Sequence, residues 1–189
     1  MVDRIWAERL EGWIAWNHEE VEASFRAVDP DLIHVRPSAK APSVAFHAWH
    51  IGRWVDTNAT ALIVWLDPAV AKTDVWVGRG FAERWGMADL DLGGYGGTGA
   101  GLDDDASAAL PLPDSAGILA YLLATFRTYE GALARIADDS VLEREVIDPY
   151  DDPSTIGEVI LNHLSHADRH LGMIEALRGV LGERGTATE

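Results

Sequence analysis

Five of the seven histidines in this chain fall in two clusters, His47 and His50, then His163, His166 and His170. On an α-helix each residue advances by about 100°, so positions 163, 166 and 170 share an arc of about 60°. That arc lies on an apolar stripe, Ile156, Ile160, His163, Ala167, His170, Ile174, Leu177 and Leu181. Its imidazoles therefore point toward a core. A buried imidazole is costly without a hydrogen-bonding or ligating partner. A shared divalent cation satisfies several of them at once. His166 and His170, four residues apart, can reach one ion from adjacent helical turns, as zinc-binding helices do. A third nitrogen must come from another helix, and His50 or His47 offers it. A single core histidine is ordinarily a hydrogen-bonded structural residue, and His18 and His34, which stand alone in the sequence, are read that way.

The chain has no cysteine. Disulfides, thiolate metal sites and a cysteine nucleophile are excluded, and any metal is held by nitrogen and oxygen. Three neutral imidazoles leave a Zn²⁺-like ion with open coordination positions, which marks a catalytic rather than a structural site. Such an ion activates either the thiol of a small molecule or a water. The residues do not choose between the two, because no general base stands beside the ligands. Asp168 lies between His166 and His170 in sequence but points about 200° away from His166, toward solvent.

Four long segments with helical periodicity are available to carry these side chains, and no segment alternates convincingly with period two. The first runs from about Asp3 to Ala27, with Trp6, Leu10, Trp13, Asn17, Val21 and Phe25 along one face, and stops at Asp29-Pro30. The second opens at the N-cap Ser43 and continues to Leu66, where Asp67-Pro68 ends it. The third begins at the N-cap Asp114 and repeats Ile118, Leu122, Phe126, Tyr129, Leu133 and Ile136. The fourth starts near Pro153 with the capping-box pair Thr155 and Glu158, and ends at Gly182. Its stripe alternates steps of 4 and 3, the pattern of a helix in a bundle seam.

The segment between the second and third helices, residues 67–113, carries nine glycines, six of them between Gly93 and Gly101. The other two connections are much shorter. Long crossovers join parallel helices, so the expected fold is an all-α four-helix bundle running up-down-down-up within a single domain, residues 1–189. A short helix is expected near Phe81 to Trp85 and a flexible tip around Gly93 to Gly101. Gly-Gly-Tyr-Gly-Gly-Thr-Gly lacks the Gly-Lys-Ser/Thr and the preceding strand of a phosphate loop. The tip is expected either to fold over the mouth of the metal site or to serve as a solvated linker.

The net charge is −16. Such a surface repels nucleic-acid phosphates and anionic lipid, so neither is expected as a partner. The longest apolar run, Ala59 to Leu66, is far shorter than the roughly 20 residues of a membrane span. The charged N-terminus shows no signal-peptide core, so a cytoplasmic location is expected. Arg outnumbers Lys 13 to two. With frequent Ala, Gly and Asp, this usage suggests a GC-rich bacterial genome.

Pro-Ser-Val-Ala-Phe-His-Ala-Trp-His-Ile-Gly-Arg-Trp-Val-Asp, residues 42–56, resembles the second-helix signature of DinB-like proteins. His166-Ala-Asp-Arg-His170-Leu-Gly-Met-Ile174, followed by Leu177-Arg178-Gly179, resembles the fourth-helix pattern of that family. Gly80-Phe-Ala-Glu-Arg-Trp-Gly86 and Gly97-Thr-Gly-Ala-Gly101 are similar to the crossover of one of its branches. The resemblance implies that His50, His166 and His170 are the metal ligands and leaves His47 and His163 as second-shell candidates. It also implies kinship with bacillithiol- and mycothiol-dependent S-transferases and with a mycothiol-dependent maleylpyruvate isomerase. The function expected is a divalent-metal-dependent thiol S-transferase using zinc, or else nickel, cobalt or iron. A low-molecular-weight thiol and a small electrophile are its expected partners, and a homodimer is the open assembly. The alternatives are a non-catalytic metal- or ligand-binding bundle and a metal-dependent hydrolase.

Overall fold

Ser43 and Asp114 stand immediately before apolar helical repeats, and each accepts a hydrogen bond from a first-turn amide, Phe46 N and Gly117 N respectively. These caps start two of four long helices in a computed structural model of the protein, which describes residues 3–185. The four are α1 (Ile5–Arg26), α2 (Val44–Leu66), α7 (Ser115–Leu133) and α8 (Ile156–Val180). At the start of α8, Thr155 and Glu158 form the complete capping box. Four short helices divide the crossover: α3 (Val75–Gly78), α4 (Phe81–Arg84), the single turn α5 (Gly94–Gly97) and α6 (Asp104–Ala108). A small antiparallel ribbon, β1 (Glu145–Ile147) with β2 (Pro153–Thr155), precedes α8. Three-residue strands are too short to register as sequence alternation, so none was expected there.

Contacts along the long helices set their directions. Asn17 reaches Asp168 and Ser24 reaches Glu175, so α1 and α8 run parallel. His47 meets His170 and His50 meets His166, so α2 and α8 are antiparallel. Gly52 abuts Tyr121 and Asp67 pairs with Arg135, so α2 and α7 are parallel. Asp3 O accepts from Asp139 N just beyond α7, while His18 meets Glu130, so α1 opposes α7. The result is an up-down-down-up bundle with the long crossover between parallel helices. Among the described residues no helix is long and apolar enough to cross a membrane.

The buried arc of α1 differs from the expected face. Ala7, Leu10, Ile14, Asn17, His18, Val21, Ser24 and Phe25 are buried, whereas Trp6 and Trp13 are 53% and 48% exposed. The face centre lies about 70–90° from those two tryptophans, and their bulk and hydrophobicity drew the sequence reading toward them.

The glycine-rich tip is anchored and does not stand off as a flexible loop. Gly99 N donates to Leu92 O at 2.7 Å, Gly94 bridges to Ala100, and Thr98 is fully buried. The anchor on the bundle side is Arg53 of α2, whose guanidinium is buried. It donates to the carbonyls of Gly97 (3.0 Å) and Gly96 (2.5 Å) and pairs with Asp56 and Asp74. Asp56 in turn accepts from the Val75 and Trp76 amides at 2.8 Å each, and from Tyr121 OH at 2.9 Å. A buried guanidinium is stable only when its donors are matched in this way. One charge network therefore fastens the start of α3 and the glycine-rich tip to α2.

Candidate metal centre

His50 and His47 stand one turn apart on the inner face of α2, and His166 and His170 stand one turn apart on the opposing face of α8. Because α2 and α8 are antiparallel, the lower rungs of one meet the upper rungs of the other. His50 Nε2 lies 3.0 Å from His166 Nε2, and His47 Nδ1 lies 2.9 Å from His170 Nδ1. The rings of His170 and of His50 and His166 have centroids 4.5 Å apart in each case. One ligating nitrogen from each of His50, His166 and His170 fits within 4.8 Å of the others, the only such set among the described residues. His50 and His166 are buried, and His170 is partly open at the mouth.

The tautomer of His50 is set by the crossover. Its Nδ1 lies 2.5 Å from Thr98 O, a carbonyl that only accepts, so Nδ1 carries the hydrogen and Nε2 keeps its lone pair toward His166. Burial lowers all four basicities. His166 is pushed down to about 3 and His170 to about 2, chiefly by desolvation and then by neighbouring imidazoles. His47 is pushed down to about 4 for the same reasons, and burial also lowers His50. All are neutral imidazoles at neutral pH, the form that ligates metal.

A divalent ion fits this donor set. His50 directs a lone pair at the Nε2 of a second buried imidazole, and His166 Nδ1 is buried with no hydrogen-bond partner. Hydrogen bonds between the rings leave such a cluster under-satisfied, whereas a cation accepts the converging lone pairs together. The Thr98 carbonyl then orients His50 from behind, and His47 does so for His170 through Nδ1.

A family model described as the DinB superfamily matches residues 14–174, most of the chain. The chain belongs to the DinB superfamily. A crystal structure of a conserved protein from Enterococcus faecalis superposes on this DinB chain with a TM-score of 0.75 at 17% identity. The match covers 93% of this chain and 97% of that one, and at such identity it shows the fold alone. No curated protein matches the chain.

Within this DinB bundle the remaining histidines separate from the cluster. His163 is fully buried but faces α1 and α7, with its Nε2 3.3 Å from His18 Nε2 and its ring 4.6 Å from that of Tyr129. His18 is thus not isolated. It bridges His163 and Glu130, the latter at 2.7 Å, and stacks on Phe126. His34 donates from Nε2 to Pro113 O, between the α1–α2 link and the start of α7. Asp168 is exposed and accepts from Asn17.

Several wall residues were missed from sequence. Trp54 stacks on His166 at 3.8 Å and on Tyr150 at 4.6 Å, and Tyr95 meets Tyr150 edge-on. Trp54 sits four residues after His50, a spacing that would have flagged it. Tyr150 and Tyr95 lie in irregular segments and gave no periodic signal. Tyr95 holds φ at 55°, a strained conformation for a residue with a side chain, at the rim of this wall. Beyond Gly96 opens a cleft of about 560 Å³ bordered by Thr57, Trp65, Lys72, Asp74 and Asp148. The histidines do not line it.

Gly99 provides a test of the loop's role. Its φ is +90°, and a Cβ there would stand 2.7 Å from Trp49 Cζ3 and 3.2 Å from Phe46 Cζ. Gly99→Ala is expected to cost about 2–4 kcal/mol in urea unfolding, from strain plus overpacking. Because Thr98 must move with it, metal affinity should fall about tenfold. Gly101→Ala, also at positive φ but with open space around it, should cost only the strain and leave affinity intact.

Proposed function

We propose that this protein holds one divalent cation, zinc in the first instance, on His50, His166 and His170, and that it is a metal-dependent enzyme of thiol S-transferase type. The supporting observation is the donor set itself: three neutral imidazoles converge within 4.8 Å, with no carboxylate among them. Three such ligands leave a zinc-like ion open positions for an exogenous group. The ion would supply Lewis acidity, lowering the pKa of a thiol or water brought to it.

The chain's own residues do the positioning. Thr98 O fixes His50, Trp54 packs flat on His166, and Phe46 stacks parallel to His50. These aromatic faces exclude water from the inner side of the cluster and leave His170 at the open side. Tyr95 and Tyr150 extend the wall outward as a platform for the apolar body of a small electrophile. With no cysteine in the sequence, the nucleophile of this reading is a low-molecular-weight thiol. The setting it implies is the cytoplasm, where thiols are kept reduced.

The test is turnover of zinc-loaded protein with a small thiol and a halonitroarene, followed by loss of thiol and release of halide. Thiol-dependent turnover that vanishes on chelation, while far-UV circular dichroism stays unchanged, supports the transferase. Metal-dependent hydrolysis of activated esters without thiol would transfer the reading to a hydrolase. Absence of both, with collapse of helicity on chelation, would make the site a structural one in a binding bundle.

A further inference from the structure

The outer face of α1 carries a second heptad-like pattern that nothing in the bundle uses. Trp6, Arg9, Trp13, Trp16, Glu20 and Ala23 recur in steps of 3, 4, 3, 4 and 3. On a helix these positions span about 100° of arc, centred about 120° from the middle of the buried face. Trp6, Trp13 and Trp16 are 53%, 48% and 59% exposed, and Arg9 lies over the Trp6 ring at 5.0 Å. Leu161 of α8 is a further exposed apolar side chain. It stands one heptad before Asp168, on the α8 face that meets α1 through the Asn17–Asp168 bond, and it is 49% exposed.

Three half-exposed tryptophans on one helix face amount to roughly 200–400 Å² of apolar surface, the size of the often functional largest patch of a monomer. On a surface of net charge −16 this stripe is anomalous. Its spacing is also palindromic. Placing a two-fold axis between Ile14 and Ala15 sets Trp13 against Trp16, Arg9 against Glu20, and Trp6 against Ala23 of a second, antiparallel copy of the same stripe. Bulky rings then face each other, the largest overhanging ring faces the smallest residue, and opposite charges meet.

We infer that the protein forms an isologous homodimer through an antiparallel pairing of its first helices along this stripe. A two-fold interface requires a self-complementary patch, and this one is self-complementary in both size and charge. The histidine cluster lies between α2 and α8 and takes no residue from α1, so each metal centre remains within its own protomer. The apolar stripe alone is smaller than the roughly 800 Å² per partner of a standard interface. The expected dissociation constant is therefore micromolar, about 1–10 µM, with the flanks of α8 supplying the rest of the contact.

Sedimentation equilibrium of the metal-loaded protein should give twice the 20.6 kDa chain mass at submillimolar concentration. Trp13→Glu/Trp16→Glu should be monomeric with unchanged helical circular dichroism and metal content, since both side chains are exposed. Arg9→Glu should weaken the dimer about tenfold by placing two glutamates in register. Adding Glu20→Arg to it should restore wild-type affinity. That rescue distinguishes the antiparallel register from any other use of the patch. A wild-type monomer at submillimolar concentration would overturn the inference. So would a dimer indifferent to Trp13→Glu/Trp16→Glu, or a charge swap that fails to rescue.

Discussion

Replacing His166 and His170 together by alanine is expected to abolish stoichiometric divalent-metal binding while leaving the helices in place. Two of the three converging nitrogens disappear, and the remaining imidazole, His50, offers one donor held by Thr98. Loss of an outer partner of a metal-binding histidine alone costs about 10–100-fold in affinity, so loss of two direct ligands must exceed that range. The double variant should retain less than about a hundredth of the wild-type affinity for zinc in competition with a chromophoric chelator. His18→Ala, although its side chain is more deeply buried, should leave zinc affinity unchanged, because its partners are Glu130 and His163. The two effects separate on different axes. His18→Ala should lower unfolding stability by removing a buried hydrogen-bonded ring, whereas the double variant relieves a crowded polar cluster and should change metal-free stability far less.

Metal-free protein should unfold cooperatively in mild acid. His18, His47, His50, His163, His166 and His170 are all held below the ordinary histidine value, each mainly by burial. In the unfolded chain these rings take up protons near pH 6.5, whereas the folded protein resists until about 4 at His47, about 3 at His166 and about 2 at His170. The unfolded state therefore binds more protons throughout that interval. Stability is intact above about pH 6.5 and falls as pH drops below it. Each such ring contributes a slope of about 1.4 kcal/mol per pH unit, so three together remove about 4 kcal/mol per unit. A domain with about 8–12 kcal/mol, mid-range for ordinary stability, is exhausted within two or three units.

Self-repulsion of the −16 charge acts in the opposite sense, since carboxylate protonation relieves it. That relief arrives only near the carboxylate pKa values, after the histidine loss has begun. Far-UV circular dichroism against pH should show a midpoint between about pH 4 and 5 for the metal-free protein. The His166→Leu/His170→Leu variant, with two fewer protons to accept, should unfold at lower pH. A metal-free wild type still folded at about pH 3 would contradict the burial of neutral imidazoles.

Much of this architecture was readable because its signals are local. Ser43, Asp114 and the Thr155–Glu158 pair announce helix starts through short-range backbone bonds, and the structure places those caps at the same residues. The i, i+4 pair His166 and His170 likewise declares a shared face. The failures were of a different kind. Trp6 and Trp13 belong to an outward seam of α1, and hydrophobicity alone does not say which of two stripes on one helix the bundle buries.

The glycine-rich tip was legible as a loop but not as a packed one. Its anchors are the Arg53 guanidinium, 43 and 44 residues upstream of the carbonyls it holds, and the Trp49 face beneath Gly99. Likewise, His18 looked solitary because its partners, Glu130 and His163, lie on two other helices. Tyr150 and Tyr95 reach the wall from irregular segments for which no periodicity exists. Long-range closure, rather than residue type, decided each of these positions.

The most direct test of the central claim is X-ray absorption at the metal edge of protein loaded with one equivalent of zinc. Coordination by three imidazole nitrogens at about 2.0–2.1 Å, completed by a light exchangeable ligand, is the predicted result. Adding a small thiol should replace that light ligand with sulfur at about 2.3 Å. Zinc bound chiefly by carboxylate oxygen, or a spectrum unchanged in the His166→Ala/His170→Ala variant, would contradict the assignment of His50, His166 and His170 as the metal centre.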